Sequence, residues 1–586
     1  MNYQLNKPEN QKKKVTFSSA LKRLWPFLKD EKRNLAVAFV AILATSVLTL
    51  LSPVIISYTI DTYIQNKDFH GVLVFAAILL VINIAQLVSS YTQTKTMGGI
   101  GRRTLFSLRN AIFTKLEELP VAFFNQNKAG DLISRINNDT DNLNQFFSQA
   151  LMQFVGNAFL IAGAGVFLLV LNDRLGAAAL VPALGVLIIT QLVSAWVKRR
   201  SLKSLQALGG MSAEVQESLA NFKVIVAFNR LDYFQRKFNE VNEKNFSASV
   251  SSGLASGIFV PLYGLASNLA QLIVLAYGIY LIGAGGLTIG LLVAFFLYVN
   301  SFYSPLRQMA AVWSSFQLAL ASFDRISEVL ALQSDLKIVS SEKIGKPNSV
   351  LEFKNVFFKY PDGKEVLRDV NFILEKGKTC ALVGPTGGGK TTTASLMGRL
   401  YDPTSGTIFL DGKDIRSYRV SERTQKIGFI LQEPFLFTGT VRENILYGNE
   451  KYLDHSAEQL AEILKKANYE KLLIRFDKGL DSHITTSSEG ISLGQKQLIA
   501  FMRAVLREPE ILILDEATAN IDTVTEQLLT EILNALPPTT TKVIIAHRLN
   551  TIKNADEIFF VNAGQIVLAG SMEHAVDLLL HGKREG

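Results

Sequence analysis

Residues 384–392 read Gly384, Pro385, Thr386, Gly387, Gly388, Gly389, Lys390, Thr391 and Thr392. Glycines, hydroxyls and one lysine in this order suit a chain of phosphates. The pattern fits G-x-x-x-x-G-K-S/T, which works only between a strand and a helix. The apolar run Cys380–Val383 predicts the strand, and a helix is expected to start near Lys390. Glycine leaves the backbone N–H groups free to approach phosphate oxygens, and the helix N-terminus adds partial positive charge. Lys390 is placed to reach the β- and γ-phosphates, and Thr391 to offer its hydroxyl to Mg²⁺. The expected cofactors are therefore ATP and Mg²⁺.

A second constellation follows about 120 residues later, where the apolar run Ile511–Leu514 ends in Asp515 and Glu516. A continuous apolar run marks a strand buried on both faces of a parallel sheet. Two acids at a strand end, taken alone, are ordinary solvated groups. Beside a phosphate loop, Asp515 is the expected holder of Mg²⁺, directly or through water. Glu516 is then the base that takes a proton from the attacking water.

These groups need a scaffold. From Val350 onward short strand and helix patterns alternate at ordinary soluble composition, which predicts an α/β domain over 350–586. The chain before it is different. Of the 586 residues 48% are apolar and only 19% charged, a balance that points to a membrane portion. Six stretches hold no Asp, Glu, Lys or Arg: Leu35–Ile60, Gly71–Tyr91, Gln149–Leu171, Leu175–Val197, Ser249–Gly283 and Gly286–Leu306. About 20 apolar residues cross the hydrocarbon core as a helix, and each stretch supplies them. Pro53, Pro182 and Pro261 fall inside these spans and predict local kinks.

Loop charges orient the spans. Lys and Arg number nine before the first span, seven in Lys95–Arg135 and nine in Lys198–Lys244, whereas the opposite loops carry Lys67 and Arg174 alone. Positive loops stay inside, so both termini are expected in the cytoplasm of a cell whose cytoplasmic membrane holds the spans. The same rule assigns the +9 net charge to these loops and not to a nucleic-acid site. The two inner loops read as helical, with Ile112, Leu116 and Leu119 at helical spacing. Leu21, Leu24, Trp25, Phe27 and Leu28 alternate with Lys22, Arg23 and Lys29. This segment is either an amphipathic elbow helix on the inner membrane surface or a charged tail leading into the first span. No cleavable leader is evident, so the first span is expected to remain as an anchor. Cys380 is the single cysteine, which rules out an intrachain disulfide. The expected division is 1–34 N-terminal segment, 35–332 six-helix membrane domain, 333–349 linker and 350–586 nucleotide-binding domain.

Ile491, Ser492, Leu493, Gly494 and Gln495 precede the acidic strand by about twenty residues. This run resembles the signature sequence of ATP-binding-cassette (ABC) proteins. Other motifs of that family stand in its order. Tyr360 resembles the aromatic that stacks on adenine. Gln432 resembles the glutamine that senses Mg²⁺ and γ-phosphate. Asp522 resembles the loop that crosses the dimer interface, and His547 the switch histidine. The resemblance extends to the membrane half, where Phe123–Arg135 with Asn138, Asp139 and Thr140 is similar to the first cytoplasmic loop of ABC exporters, and Glu214–Phe228 to the second. Both loops carry coupling helices in that family. The resemblance implies a membrane α-helical domain of exporter type fused to an α/β P-loop domain. It also implies an ATP-hydrolysing half-transporter that works as a dimer, with the fusion of both parts on one chain favouring export. Carried over residue by residue, the site is Glu516, His547 and Gln432 for catalysis. For nucleotide it is Tyr360, Gly384, Thr386, Gly387, Gly388, Gly389, Lys390, Thr391, Thr392, Ser492, Gly494, Gln495 and Asp522. For Mg²⁺ it is Thr391, Gln432 and Asp515.

The sequence departs from the family at Leu493, where the signature has glycine, and in Thr485–Gly490 just before it. In the family the signature serves ATP held by the partner, so the departure touches the partner's site and leaves the Lys390 site whole. This favours an unlike half-transporter as partner over a second copy. The spans hold polar uncharged groups (Asn83, Gln86, Gln153, Asn157, Gln191, Asn268, Gln271, Asn300) and aromatics (Tyr263, Phe295, Phe296, Tyr298, Phe302, Tyr303). With no intramembrane charge the expected substrate is hydrophobic or amphipathic, a drug or lipid. The polar groups can equally join helices. An ATP-gated channel or signalling protein of the same family is the alternative to a pump. The six spans exclude a soluble DNA-repair ATPase.

Overall fold

The computed structural model describes residues 3–5, 26–340, 349–361, 363–432, 434–467, 469, 473, 476, 478–485, 491–515, 523–545, 555–570 and 573–574. The chain divides into two compact units, one of residues 7–117 and 129–331, the other of 1–6, 118–128 and 332–586.

The first unit is helical. Among the described residues six helices are long and apolar enough to cross a membrane: Pro26–Ile64, Phe69–Glu117, Ala129–Leu171, Asp173–Ala220, Leu231–Gly283 and Ile289–Met309. Several far exceed the apolar stretch within them. At 1.5 Å per residue the 49-residue helix Phe69–Glu117 runs roughly 73 Å, more than twice a hydrocarbon core. The helical spacing read in the first inner loop is realised as far as Glu117, with Ile112 and Leu116 buried in the helix Phe69–Glu117; Leu119 is buried too, but it lies beyond the end of that helix and not on its register. Of the elbow residues, 21–25 lie outside the described residues; Pro26–Leu28 are helical and Leu28 is buried.

Small residues let the helices approach closely. Ala164, Ala179, Ala183, Ala266 and Ala270 are buried in one cluster with Leu168, Leu175, Tyr263, Tyr298 and Tyr303. The turn between Leu151–Leu171 and Asp173–Ala220 is tight. A Cβ on Gly176 would come 2.1 Å from the Leu168 carbonyl oxygen, and Asn172 Oδ1 accepts from the Leu175 amide at 3.0 Å to cap the new helix. Buried phenols are satisfied across helices: Tyr298 donates to the Leu50 carbonyl at 2.6 Å and Tyr303 to that of Ala179 at 2.8 Å. Two polar residues of the spans join helices, Gln86 donating to Thr49 Oγ1 at 3.1 Å and Asn157 to Gln308 Oε1 at 3.4 Å.

Pro53 and Pro182 lie inside continuous helices. Pro261 does not. The fifth span is two helices, Leu231–Gly257 and Phe259–Gly283, and Pro261 occupies the first turn of the second. There its missing N–H leaves no intrahelical bond unmade. Among the described residues three wider π turns occur without any sequence signal: Ile60–Ile64 closes the first long helix, and Arg135–Asp139 and Phe146–Ala150 interrupt the third. In the middle one Arg135, fully buried, donates to the Arg325 carbonyl at 2.5 Å and pairs with Asp131 at 3.0 Å and Glu328 at 3.1 Å. Arg325 in turn pairs with Asp131 at 2.7 Å and with the buried Asp139 at 3.3 Å.

The second unit is α/β. Its strands are β1 (Ser349–Lys359), β2 (Glu365–Glu375), β3 (Thr379–Val383), β4 (Ser405–Leu410), β5 (Lys413–Asp414), β6 (Ile427–Ile430), β7 (Gly439–Thr440), β8 (His483–Ile484), β9 (Ile511–Asp515), β10 (Thr541–Ile545), β11 (Glu557–Asn562) and β12 (Gln565–Leu568). The main sheet has the order β12-β11-β3-β10-β9-β6, with β11, β3, β10, β9 and β6 parallel. A smaller antiparallel sheet has the order β2-β1-β4-β5, and β7 pairs with β8. Successive residues of the main strands feed opposite cores. Cys380, Leu382, Ile511, Ile513, Val543 and Ile545 pack with the smaller sheet. Ala381, Val383, Leu512, Leu514 and Ile544 pack with helices that include Ala457–Lys466 and Leu493–Val505. That double burial is why these strands read as unbroken apolar runs.

Candidate functional site

In an open parallel sheet, ligands bind beyond the carboxyl ends of the strands. Here Leu382 of β3 pairs with Ile545 of β10, Ile545 with Asp515 of β9, and Leu514 with Ile430 of β6, so these strands end level. The phosphate loop leaves β3, Asp515 closes β9, and Gln432 stands two residues beyond β6. The register thus brings three of the sequence-predicted segments to one edge.

The loop depends on its glycines. Gly384, Gly387 and Gly389 take φ of +150°, +83° and +116°, in the range that side chains rarely enter. A Cβ on Gly384 would meet the Val561 carbonyl oxygen at 2.0 Å, and one on Gly388 would meet it at 2.6 Å. Gly389 begins the helix Lys390–Met397. Lys390 is buried, and its ammonium donates to the carbonyls of Gly384 at 2.9 Å and Pro385 at 3.1 Å, curling over the loop. Thr386 is exposed, as is Thr391 at the helix start. Thr391 Oγ1 donates to Asp515 Oδ1 at 3.2 Å. A hydroxyl and a carboxylate side by side are the hard oxygen donors that Mg²⁺ prefers, and at Gly387 a Cβ would meet nothing within 4 Å, so the tip of the loop stands open. The residues present therefore fit ATP with Mg²⁺.

Tyr360 follows β1. Its hydroxyl shares a hydrogen bond with Thr392 Oγ1 at 3.1 Å, and its ring stands edge-on to Phe358 and Tyr401 at 4.9 and 5.3 Å between centroids. Tyr401 was not singled out by the sequence. Burial raises its phenol's pKa above the ordinary tyrosine value, and Asn125 Nδ2 donates to its oxygen at 2.7 Å. Asn125 belongs to the six-residue helix Val121–Gln126, which packs within this unit although long helices flank it in sequence. The aromatic ladder from Tyr360 to Asn125 is invisible to motif reading, because its members lie in three separate segments.

Ser492 caps the helix Leu493–Val505. Its Oγ accepts from the Gln495 amide at 3.2 Å, and Gln495 Oε1 accepts from the Ser492 amide at 2.8 Å. Gly494 is buried behind them, and Leu493 is 40% exposed. Glu516, Asp522 and His547 lie outside the described residues.

Sequence comparison gives the same picture from a different direction. Residues 35–306 match the family model described as ABC transporter transmembrane region, and residues 367–519 the one described as ABC transporter. An uncharacterized ABC transporter ATP-binding protein of Bacillus subtilis, YfiC, is 33% identical over 98% of this chain and 95% of its own. A fatty acid ABC transporter ATP-binding/permease protein of Mycobacterium tuberculosis is 31% identical over 86% of this chain and 80% of its own. An ATP-dependent lipid A-core flippase of Pectobacterium atrosepticum is 30% identical, covering 94% of both chains.

Proposed function

Because this chain belongs to the ABC transporter family, as an ATP-hydrolysing membrane half-transporter of bacterial exporter type, we propose that it exports a hydrophobic or amphipathic substrate by alternating access. Drug-like and lipid-like compounds are the substrate class, in keeping with the charge-free spans and with the names of the fatty-acid and lipid A relatives. Both termini and the long loops face the cytoplasm, on the loop-charge argument.

The observation that carries the reading is the meeting of Thr391 with Asp515 on a chain that also holds six spans. When bound, Mg²⁺ supplies charge neutralisation on the phosphates. The chain's own residues do the rest. Lys390 lets go of the loop carbonyls to face the β- and γ-phosphates. Tyr360 packs on adenine, and Gln432 and His547 sense the terminal phosphate. Glu516 takes the proton of the attacking water. Ser492, Gly494 and Gln495 face the ATP of the partner, with Asp522 at the interface. The partner is an unlike half-transporter, a reading supported by Leu493 standing exposed where the family has glycine.

The chain purified together with its partner, in nanodiscs, tests the assignment. Glu516→Gln keeps the shape but cannot take the proton, so turnover is expected to fall ~10²–10⁴-fold with nucleotide binding retained. A lipophilic dye is expected to stimulate the wild type. Turnover of the variant near wild type would contradict the reading.

A further inference from the structure

Tyr3 is 1% exposed and ranks among the largest fully buried side chains of the described residues. The segment Tyr3–Leu5 lies in the ATPase unit, and its hydrogen bonds to Gln126, Asn127 and Asp335 all reach more than one hundred residues along the sequence. The Tyr3 amide donates to Gln126 Oε1 at 2.8 Å, and its carbonyl accepts from Asn127 Nδ2 at 3.0 Å. The Leu5 amide donates to Asn127 Oδ1 at 3.1 Å. Asn127 is thus read on both its amide atoms, and its Nδ2 also donates to the Phe123 carbonyl at 2.8 Å. The Tyr3 phenol donates to Asp335 Oδ1 at 2.6 Å and accepts from the Asp335 amide at 2.9 Å. Its ring meets Phe123 edge-on, centroids 6.3 Å apart at 88°.

Three distant pieces of chain therefore close on one another: the start of the chain, the helix Val121–Gln126, and the segment that follows the last long helix. That helix has six residues, too few to hold its shape alone, and its N-cap Pro120 makes no side-chain capping bond. Its placement must come from what packs on it. We propose that Tyr3–Leu5 is a strap, with Tyr3 a positioning residue that fixes the Val121–Gln126 helix to the ATPase unit so that movements driven by nucleotide reach that helix. This rests on the transport reading above. Burial, with the bond to Asp335, raises the Tyr3 phenol's pKa above the ordinary tyrosine value.

The test uses the full-length chain copurified with its partner, in nanodiscs of phosphatidylethanolamine and phosphatidylglycerol. Amide hydrogen exchange is followed in residues 121–127 for wild type, Tyr3→Ala, Tyr3→Phe and Asn127→Ala. Tyr3→Ala and Asn127→Ala are expected to speed exchange there by roughly tenfold or more, with the Lys390–Met397 helix unchanged. Tyr3→Phe, which keeps the ring but loses the Asp335 bond, should fall between. The ATPase of each should stay within about twofold of wild type, while dye moved per ATP in vesicles drops. If Tyr3→Ala does not accumulate, Tyr3→Phe and Asn127→Ala decide. Unchanged exchange at 121–127, or equal acceleration in Lys390–Met397, overturns the strap. Failure of the wild type to move dye would instead sink the transport reading, and the exchange result would still stand or fall by itself.

Discussion

Thr391 opens the helix after the phosphate loop and Asp515 ends β9, 124 residues apart, yet Thr391 Oγ1 donates to Asp515 Oδ1 at 3.2 Å. Thr391 follows β3 through the phosphate loop and Asp515 closes β9, with β10 pairing between the two strands. The contact is the meeting point of the glycine-rich loop after β3 and the strand that leads to Glu516.

Asp515→Asn tests what that pair is for. Asparagine keeps the size and can still accept from Thr391, but it brings no negative charge to a divalent cation. The Mg²⁺ concentration for half-maximal ATPase is expected to rise by on the order of tenfold or more, while nucleotide affinity without Mg²⁺ stays close to wild type. An unchanged Mg²⁺ dependence would remove Asp515 from the metal site.

Cys380 gives a pH prediction. Burial in β3, with Glu557 and Asp556 nearby, pushes its thiol from 9.0 up to about 12. The unfolded chain therefore ionises first. The stabilisation is complete below pH 9, and is lost as pH rises from 9 towards 12. Native protein at pH 8 should not react with a maleimide, whereas denatured protein should react at once. Thermal midpoints from pH 8 to 10.5 should fall less in Cys380→Ala than in wild type. Equal slopes, or rapid native labelling, would contradict the buried neutral thiol.

Leu493→Gly addresses assembly. With an unlike partner, Leu493 faces the ATP site that turns over little, and restoring glycine should change turnover less than about twofold. In a homodimer the same change acts at every hydrolysing site, where a bulky residue obstructs close backbone approach to phosphate. A several-fold gain in turnover, together with a native mass of twice this chain from its own host, would refute the unlike partner.

How far the sequence reaches can be seen residue by residue. The phosphate loop was legible because its glycines answer a local demand, positive φ and close approach to Val561, that no other residue meets. The six spans were legible because lipid imposes length and apolarity on each helix separately. The α/β reading followed from strands such as Ile511–Asp515, buried on both faces. What stayed hidden depends on partners far off in the chain. Nothing near Tyr3 is periodic or apolar enough to announce burial, and its niche is made by Phe123, Gln126, Asn127 and Asp335. The break at Ile258 was read as a kink at Pro261, because a proline in a first turn and one mid-helix look alike in sequence. Arg135 looked like one more loop charge, although two carboxylates and a carbonyl hold it fully buried.

The central claim is that hydrolysis at the Lys390 and Glu516 site drives an amphipathic compound across the membrane. Inside-out vesicles containing this chain and its partner, given Mg²⁺, ATP and a lipophilic fluorescent dye, test it most directly. The account predicts ATP-dependent accumulation of dye against its gradient, lost with Glu516→Gln and with a non-hydrolysable ATP analogue. Dye that merely equilibrates when ATP is added, or accumulation that persists with Glu516→Gln, would contradict it.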